Sequence, residues 1–424
     1  MRRLHIIWMV LLLVACKKDY EAPVPDFSNW NEFNNAPANA LPAATRQAME
    51  GVYTFNEGQN DFGELTAIKW SFTHKGNDTT FHVSGFCSKD ISYFICEGRS
   101  QNGTILLNGY WRKMTSDQTG IMRLQITPAN GATLLLSTNP VVVPGSVKME
   151  GSFGLGNDEP ANPVSFTYTR PLFAGNPGFQ IMAHRSGGRT SDLLPVSENS
   201  VEMIMKSVEF GSTGIEIDVR LTSDGIPILY HDNTLNLRLI QKCGLVGAIE
   251  NYSFAQLSAF VRLINGERIP TLRQALDAVI YRTNLSYVWL DTKYGGPLDR
   301  LQAIQKEYLQ KAAAAGRDVK ILIGLPAEDQ VNEFVKLPDF ANTPSLCELS
   351  IEDFEKCNSL IWAPRFTEGT QNDQVEKIHA MGKKAFVWTL DVPQYINQYI
   401  TDGHFDGILS NFPSCVAYNY YVQQ

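Results

Sequence analysis

The sequence predicts an α/β protein: a distorted (β/α)8 TIM-type barrel preceded by a separate all-β domain. Three observations carry this. From about residue 176 onward, eight short apolar runs alternate with segments of helical period over about 250 residues. Acids, bases and histidines gather at the ends of those runs, and the C-terminal rim is where such barrels present reactive groups. Between 45 and 172 the texture differs: eight strand-like runs are separated by polar turns, without a helical period.

The chain has 424 residues, 44% hydrophobic and 19% charged, a folded composition with length for two domains. A formal net charge of -8 and a pI of about 5.5 argue against a nucleic-acid-binding surface. Residues 1–16 read as a targeting segment. Arg2 and Arg3 precede an apolar run, Leu4 to Ala15, too short for an ordinary membrane span. The ending Leu13-Val14-Ala15-Cys16 resembles a bacterial lipoprotein signal; an ordinary secretion signal or a start-transfer anchor is the alternative. That resemblance implies acylation of Cys16 and a cell-envelope protein held to a membrane, outer-membrane, periplasmic or surface-facing. Residues 17–44, rich in Ala, Pro and Asn, read as an extended, mobile tether.

Residues 45–172 supply GVYTF, LTAIKWSFTH, TFHVSGFC, SYFICEG, TILLNGYW, GIMRLQIT, VKMEGSFG and VSFTYTR. These predict an up-and-down barrel or a sandwich, with a lipocalin-like barrel preferred. Such a barrel either holds a small ligand, whose identity the sequence leaves unknown, or is filled by side chains. His74 and His82 read as surface or strand-edge residues. Cys87 and Cys96 flank a turn and are candidates for a disulfide. Cys347 and Cys357 are a weaker pair, and free buried thiols are the alternative for all of them.

In the region 176–424 the predicted strands are FQIMAHR, GIEIDV, PILYHD, SYVWLDTK, VKILIGL, SLIWAPRF, KAFVWTL and FDGILS. Helical patterns lie between most of them: SVEMIMKSVEF, TLRQALDAVIYRT, LDRLQAIQKEYLQKAAAA and DQVEKIHAM. Only Val219 to Ile226 separates the second run from the third, which leaves no room for a helix. Eight extended residues span roughly 26 Å at about 3.3 Å each, so a helixless crossover between parallel strands 2 and 3 is expected there.

His184 and Arg185 end the first run, Glu216 and Asp218 the second, His231 the third, and Asp291 and Lys293 the fourth. Glu216 and Asp218 are two apart, so both point into the barrel while Ile215, Ile217 and Val219 face outward. Three converging carboxylates repel unless a cation sits among them, and oxygen donors suit Ca2+ or Mg2+. A salt-bridged core, Glu216 with Lys293 and Asp218 with Arg185, is the alternative. Two histidines flanking such a site suit general acid and base roles. Arg185 and Lys293 suit a phosphate.

AHR (183–185), SEN (197–199), IEIDVRLTSDGIPILYHD (215–232), RIPTLRQAL (268–276), LDTK (290–293), VWTLD (387–391) and FDGILSNFP (405–413) together resemble the glycerophosphodiester phosphodiesterase family, in order, over roughly 178–415. The resemblance implies metal-dependent hydrolysis of glycerophosphodiesters to glycerol 3-phosphate and an alcohol. It implies His184 and His231 as the acid/base pair, and Glu216, Asp218 and Asp291 as ligands of the divalent cation. It further implies Arg185 and Lys293 on the phosphate, Glu198 at the rim and Trp388 as a wall against the glycerol.

The chain departs from the family pattern in several places. Ser186 stands where glycine is usual, and a long loop, GGRTSDLLPV, follows it. Ser197-Glu198-Asn199-Ser200 replaces a Pro-Glu-Asn-Thr pattern. Asp291 is a methylene shorter than the usual glutamate. Leu237 occupies the place of an arginine after Thr234-Leu235-Asn236. Two other readings fit the residues: a related phosphodiesterase of phospholipase C- or D-like type, or a non-catalytic surface lipoprotein that binds ligand through its β domain.

Overall fold

The computed structural model describes residues 24–37, 41–176 and 178–424. The expected signal and Cys16 lie outside the described residues. No described helix is long and apolar enough to cross a membrane.

Strands β1 (Gly51–Glu57), β2 (Leu65–Lys75), β3 (Asp78–Cys87), β4 (Ser92–Gln101), β5 (Thr104–Lys113), β6 (Thr119–Ile126), β7 (Lys148–Phe153) and β8 (Asn162–Arg170) match the eight runs. They close into an antiparallel barrel in sequence order, β8 pairing back onto β1. Strand alternation decides what fills it. On β5, Ile105, Leu107 and Trp111 join the interior cluster with Tyr53, Phe94 and Phe166. The rings meet edge-on, Trp111 with Phe153 at 5.8 Å, and the Trp111 Nε1–H donates to the Gly154 carbonyl at 2.8 Å. Of the two expected interiors, ligand-holding or filled, this one is filled.

The outward residues of β5 are covered too. Residues 24–37 lie along it: Phe33 and Ala36 pack on Leu106, and Asn108 donates to the Phe27 carbonyl at 2.8 Å. The mobile tether expected over 17–44 is therefore corrected for this stretch, because Phe27 and Phe33 find apolar partners that a Pro/Asn-rich composition does not advertise.

The expected disulfides are absent, and Cys87, Cys96, Cys243, Cys347, Cys357 and Cys415 are free. The register explains Cys87 and Cys96: Phe86 pairs with Tyr93, which sets Cys96 opposite Val83 instead.

The second barrel uses β9 (Gln180–Ala183), β10 (Gly214–Leu221), β12 (Tyr287–Thr292), β13 (Lys320–Leu325), β14 (Ser345–Cys347), β15 (Ile361–Trp362), β16 (Lys384–Val387) and β17 (Gly407–Ser410), with β11 (Pro227–Leu229) outside the ring. All eight ring strands are parallel, and β9 closes the ring by pairing with both β17 and β10. Met182, Trp289, Leu322, Leu346, Phe386 and Leu409 fill the interior. Ile215, Ile217 and Val219 face outward against the helix Leu272–Arg282, as alternation predicts. Each such side chain contributes about 1.5–3 kcal/mol on burial.

Two strand expectations are corrected. PILYHD is not a parallel barrel strand: β11 pairs antiparallel with the upper end of β10, Val219 opposite Leu229. The link is a hairpin rather than a helixless crossover. Gly225 turns it at φ 72°, and Thr222 Oγ1 accepts the Ile226 N–H at 2.8 Å. The missing eighth strand is Ser345–Cys347, too short to carry a period.

The two barrels share an apolar seam in which Phe86, Tyr93 and Tyr110 meet Met203, Phe210 and Ala417. Across it Ser84 Oγ donates to the Glu209 carbonyl at 2.7 Å.

Candidate active site

Parallel β10 and β12 run in register, Glu216 beside Trp289 and Asp218 beside Asp291. This alignment sets Asp218 and Asp291 at one level of the barrel mouth, with Glu216 one inward position below them. One ligand atom from each of Glu216, Asp218 and Asp291 lies within 4.8 Å of the others, and they are the only group of this kind among the described residues. Glu216 Oε1 and Asp291 Oδ1 are buried without a partner, and Asp218 Oδ1 has only the Lys293 ammonium at 3.3 Å. Buried carboxylate oxygens left unpaired are costly. A hard divalent cation suits this all-oxygen donor set.

Electrostatics express the same crowding. Burial, then repulsion from Asp218 and Asp291, pushes the Glu216 carboxyl well above its ordinary range. Burial raises Asp291 as well, with Asp218 adding to it against Lys293. Burial alone would raise Asp218, but Lys293, His231 and His184 outweigh it and hold that carboxyl low. Lys293 Nζ bridges two of the acids, 2.5 Å from Asp291 Oδ2 and 3.3 Å from Asp218 Oδ1. Neither pair of the alternative salt-bridged core forms: Lys293 bonds Asp218 and Asp291 rather than Glu216, and Arg185 bonds Glu198. One ammonium leaves the third acid uncompensated.

The turn after β9 presents the first histidine. Arg185 and Ser186 take φ of 51° and 73°, which bends the chain so that the Arg185 N–H donates to Glu216 Oε2 at 2.7 Å. Ser186 thus occupies a left-handed position that favours glycine. His184 Nδ1 donates to Asn411 Oδ1 at 2.7 Å, on the tautomer this network assigns, and Nε2 lies 3.8 Å from Glu216 Oε2. Asp391 fixes Asn411 through its backbone N–H at 2.9 Å and its Nδ2 at 2.6 Å. Burial, then the Arg185 guanidinium, lowers the His184 pKa to about 4, so the ring is neutral at pH 7.

His231 reaches the same mouth from the hairpin. Its Nδ1 sits 2.7 Å from Asp232 Oδ1, and its Nε2 accepts from Arg185 Nη2 at 2.9 Å. Arg185 Nη1 binds Glu198 Oε1 at 3.0 Å, while its Nε is buried without a partner. Glu198, 2% exposed, also accepts the Thr190 N–H at 2.6 Å. Arg238 closes the ring: it pairs with Asp232 at 2.7 Å and with Glu198 at 3.3 Å. The arginine found lacking at Leu237 is therefore present one residue later. Trp388 is half-buried; its Nε1 donates to the Ala363 carbonyl at 2.8 Å and Arg365 lies 4.9 Å over its ring.

All nine predicted residues, His184, Arg185, Glu198, Glu216, Asp218, His231, Asp291, Lys293 and Trp388, thus lie on elements that end at this mouth. Sequence reasoning missed Asn199, Asn411, Asp391, Arg238 and Glu348. Asn199 Nδ2 donates to Asp218 Oδ2 at 2.6 Å. Glu348, just after β14, is a fourth acid near the mouth: burial, then Asp291, pushes its carboxyl well up. Asn411 and Asp391 lay inside the quoted motifs but carry no charge pattern of their own. A cleft of about 570 Å³ opens beside Lys293, between Arg220 and Tyr294. A cavity of about 620 Å³ at the opposite end of the barrel, among Phe179, Asp406 and Tyr420, has no such cluster of acids.

A model of the glycerophosphoryl diester phosphodiesterase family matches residues 184–415, more than half of the chain. A human protein named glycerophosphodiester phosphodiesterase 1 is 34% identical over 137 residues, which cover 30% of this chain and 38% of that protein. A glycerophosphodiester phosphodiesterase of Caldanaerobacter subterraneus is 31% identical over 102 residues, 23% of this chain and 40% of its own. The chain thus spans well under half the length of these relatives. A crystal structure of a glycerophosphodiester phosphodiesterase from Parabacteroides distasonis aligns with a TM-score of 0.45 and 21% identity, over 56% of this chain and 94% of that one.

Proposed function

The chain belongs to the glycerophosphoryl diester phosphodiesterase family, and from that premise we propose that it hydrolyses glycerophosphodiesters to glycerol 3-phosphate and an alcohol. One observation carries this most: three clustered buried carboxylates, two histidines and two cationic side chains meet at one mouth of the matched barrel.

Glu216, Asp218 and Asp291 would hold a divalent cation, Ca2+ or Mg2+, which supplies charge stabilisation to the phosphoryl oxygens and to the attacking hydroxyl. Arg185, through its unpartnered Nε–H, and Lys293 bind the phosphate. Neutral His184 Nε2 takes the proton of a glycerol hydroxyl as its oxygen bonds to phosphorus. His231, steadied by Asp232, acts as the acid: once Arg185 Nη2 has turned from its Nε2 to the phosphate, that nitrogen faces the departing alcohol and passes it a proton as the old P–O bond breaks. Water then opens the cyclic phosphate with the two roles exchanged. Asp391 and Asn411 hold the His184 tautomer, and Trp388 walls the glycerol. Glu198 keeps Arg185 turned toward the mouth.

We also propose an envelope location through a lipid on Cys16, on the strength of Arg2, Arg3 and the apolar run before it. Acid labelling with palmitate would show it, and an unlabelled chain would remove it.

The test is release of glycerol 3-phosphate from glycerophosphocholine by the full chain, with Mg2+ or Ca2+ and with excess chelator. Turnover that chelation stops is expected. Equal rates in chelator would remove the cation from the mechanism.

A further inference from the structure

A second donor-rich pocket lies away from the catalytic mouth, in the seam between the barrels. It encloses about 140 Å³ and is lined by Tyr93, Tyr110, Arg112, Val196 and Lys206, with Val24 at its edge. Arg112 is 2% exposed, Tyr93 1% and Tyr110 7%. Arg112 Nε and Nη1 are buried without hydrogen-bond partners, and the Tyr93 and Tyr110 hydroxyls are buried with no partner but each other. Its Nη2 alone is used, donating to the carbonyls of Asp192 and Leu193 at 3.3 and 3.0 Å. Among the described residues Arg112 makes no ion pair. The nearby charges are already matched: Lys206 pairs with Glu209 at 2.7 Å, and Asp192 with Arg189 at 3.0 Å. No carboxylate lines the pocket.

A buried guanidinium without a counter-charge is strongly disfavoured. An enclosed space offering free N–H groups of a buried guanidinium and two hydroxyls, with no acidic side chain, is complementary to an oxyanion. We propose that this seam binds a phosphate-sized oxyanion on Arg112, with the hydroxyls of Tyr93 and Tyr110 as further donors. The site joins the two barrels at a consequential place. Arg112 belongs to β5 of the antiparallel barrel, but the carbonyls it holds belong to the loop 187–196. That loop carries Thr190, whose N–H fixes Glu198 beside Arg185. Bound anion compensates the charge of Arg112 and so steadies the loop that frames the catalytic mouth.

Inorganic phosphate is the probe, used on the full, metal-loaded chain and on three variants. Lys293→Ala weakens phosphate capture at the mouth, whereas Arg112→Gln removes the seam guanidinium and its charge and leaves a polar side chain. The thermal midpoint of wild type and of Lys293→Ala rises by several degrees with millimolar phosphate. The rise is abolished in Arg112→Gln. Hydrogen exchange in 187–196 slows with phosphate in the first two proteins only. Tyr93→Phe/Tyr110→Phe keeps both rings and needs roughly tenfold more phosphate for the same rise, which decides the matter if Arg112→Gln does not fold. No rise in wild type, an undiminished rise in Arg112→Gln, an unshifted phosphate requirement in the tyrosine variant, or loss of the whole rise in Lys293→Ala overturns the proposal.

Discussion

Eight strands close each of the two barrels of this chain, but they enclose opposite things. In the antiparallel barrel the inward positions of β1, β4, β5 and β8 are Tyr53, Phe94, Trp111 and Phe166, and the space is full of rings. In the parallel barrel the inward positions of β10 and β12 are apolar or small only at Gly214 and Tyr287. Glu216 then stands beside Trp289, and Asp218 beside Asp291 above them. Strand direction accounts for much of the difference. Antiparallel neighbours alternate their ends, so residues at one mouth come from starts and finishes of strands alike. Parallel strands all finish together, so one mouth collects every strand end and can gather charge. The filled barrel instead contributes its outer surface, where Arg112 grips the loop leading to Glu198.

If that division holds, substitutions in the two barrels should fail in different ways. Lys293→Met should lower kcat by about 10²–10³-fold, as for loss of one preorganised cation at a developing charge. It should leave the fold intact by circular dichroism. Trp111→Ala, in the other barrel, should cost about 3–5 kcal/mol in unfolding free energy while kcat per folded molecule stays within about threefold of wild type. A large fall in kcat for the folded Trp111 variant would mean that the filled barrel takes part in chemistry. Asn411→Ala frees the His184 tautomer and should reduce kcat by roughly 10–100-fold with little change in KM.

The pH dependence is a smaller discriminator. The His184 pKa is lowered to about 4 by burial and Arg185, against about 6.5 unfolded. Between those values the unfolded chain binds the extra proton, so stability falls as pH drops through that window. Denaturation of chelator-treated protein should show this loss, and His184→Asn should flatten it. Smallest is Ser186→Gly: removing a side chain from φ 73° should stabilise by about 1 kcal/mol, read as a higher urea midpoint. A lower midpoint would mean that Ser186 holds the turn.

The comparison also explains what was legible in the sequence. Period-2 runs with polar turns gave all eight strands of the antiparallel barrel, because neighbouring strands in a meander are adjacent in sequence. Period two likewise placed Glu216, Asp218 and Asp291 on one side. PILYHD has the composition of a barrel strand yet folds back on β10 as a hairpin, in line with Asp224-Gly225, a strong turn signal between apolar runs. Ser345–Cys347 escaped because three residues hold no period. Arg238 and Asn411 act through contacts made across the fold, with partners 40 and 227 residues away. Spacing along the chain does not encode such contacts.

The central claim, that the mouth formed by β9, β10, β12 and the hairpin carries out the hydrolysis, is tested most directly by one substitution. His231→Ala is assayed for glycerol 3-phosphate release from glycerophosphocholine beside the wild type, both metal-loaded and both with intact near-ultraviolet circular dichroism. The account predicts steady release by the wild type and a loss of about 10²–10⁴-fold in the variant. Wild-type rates in the folded His231→Ala protein, or no release by the wild type from any glycerophosphodiester, would contradict it.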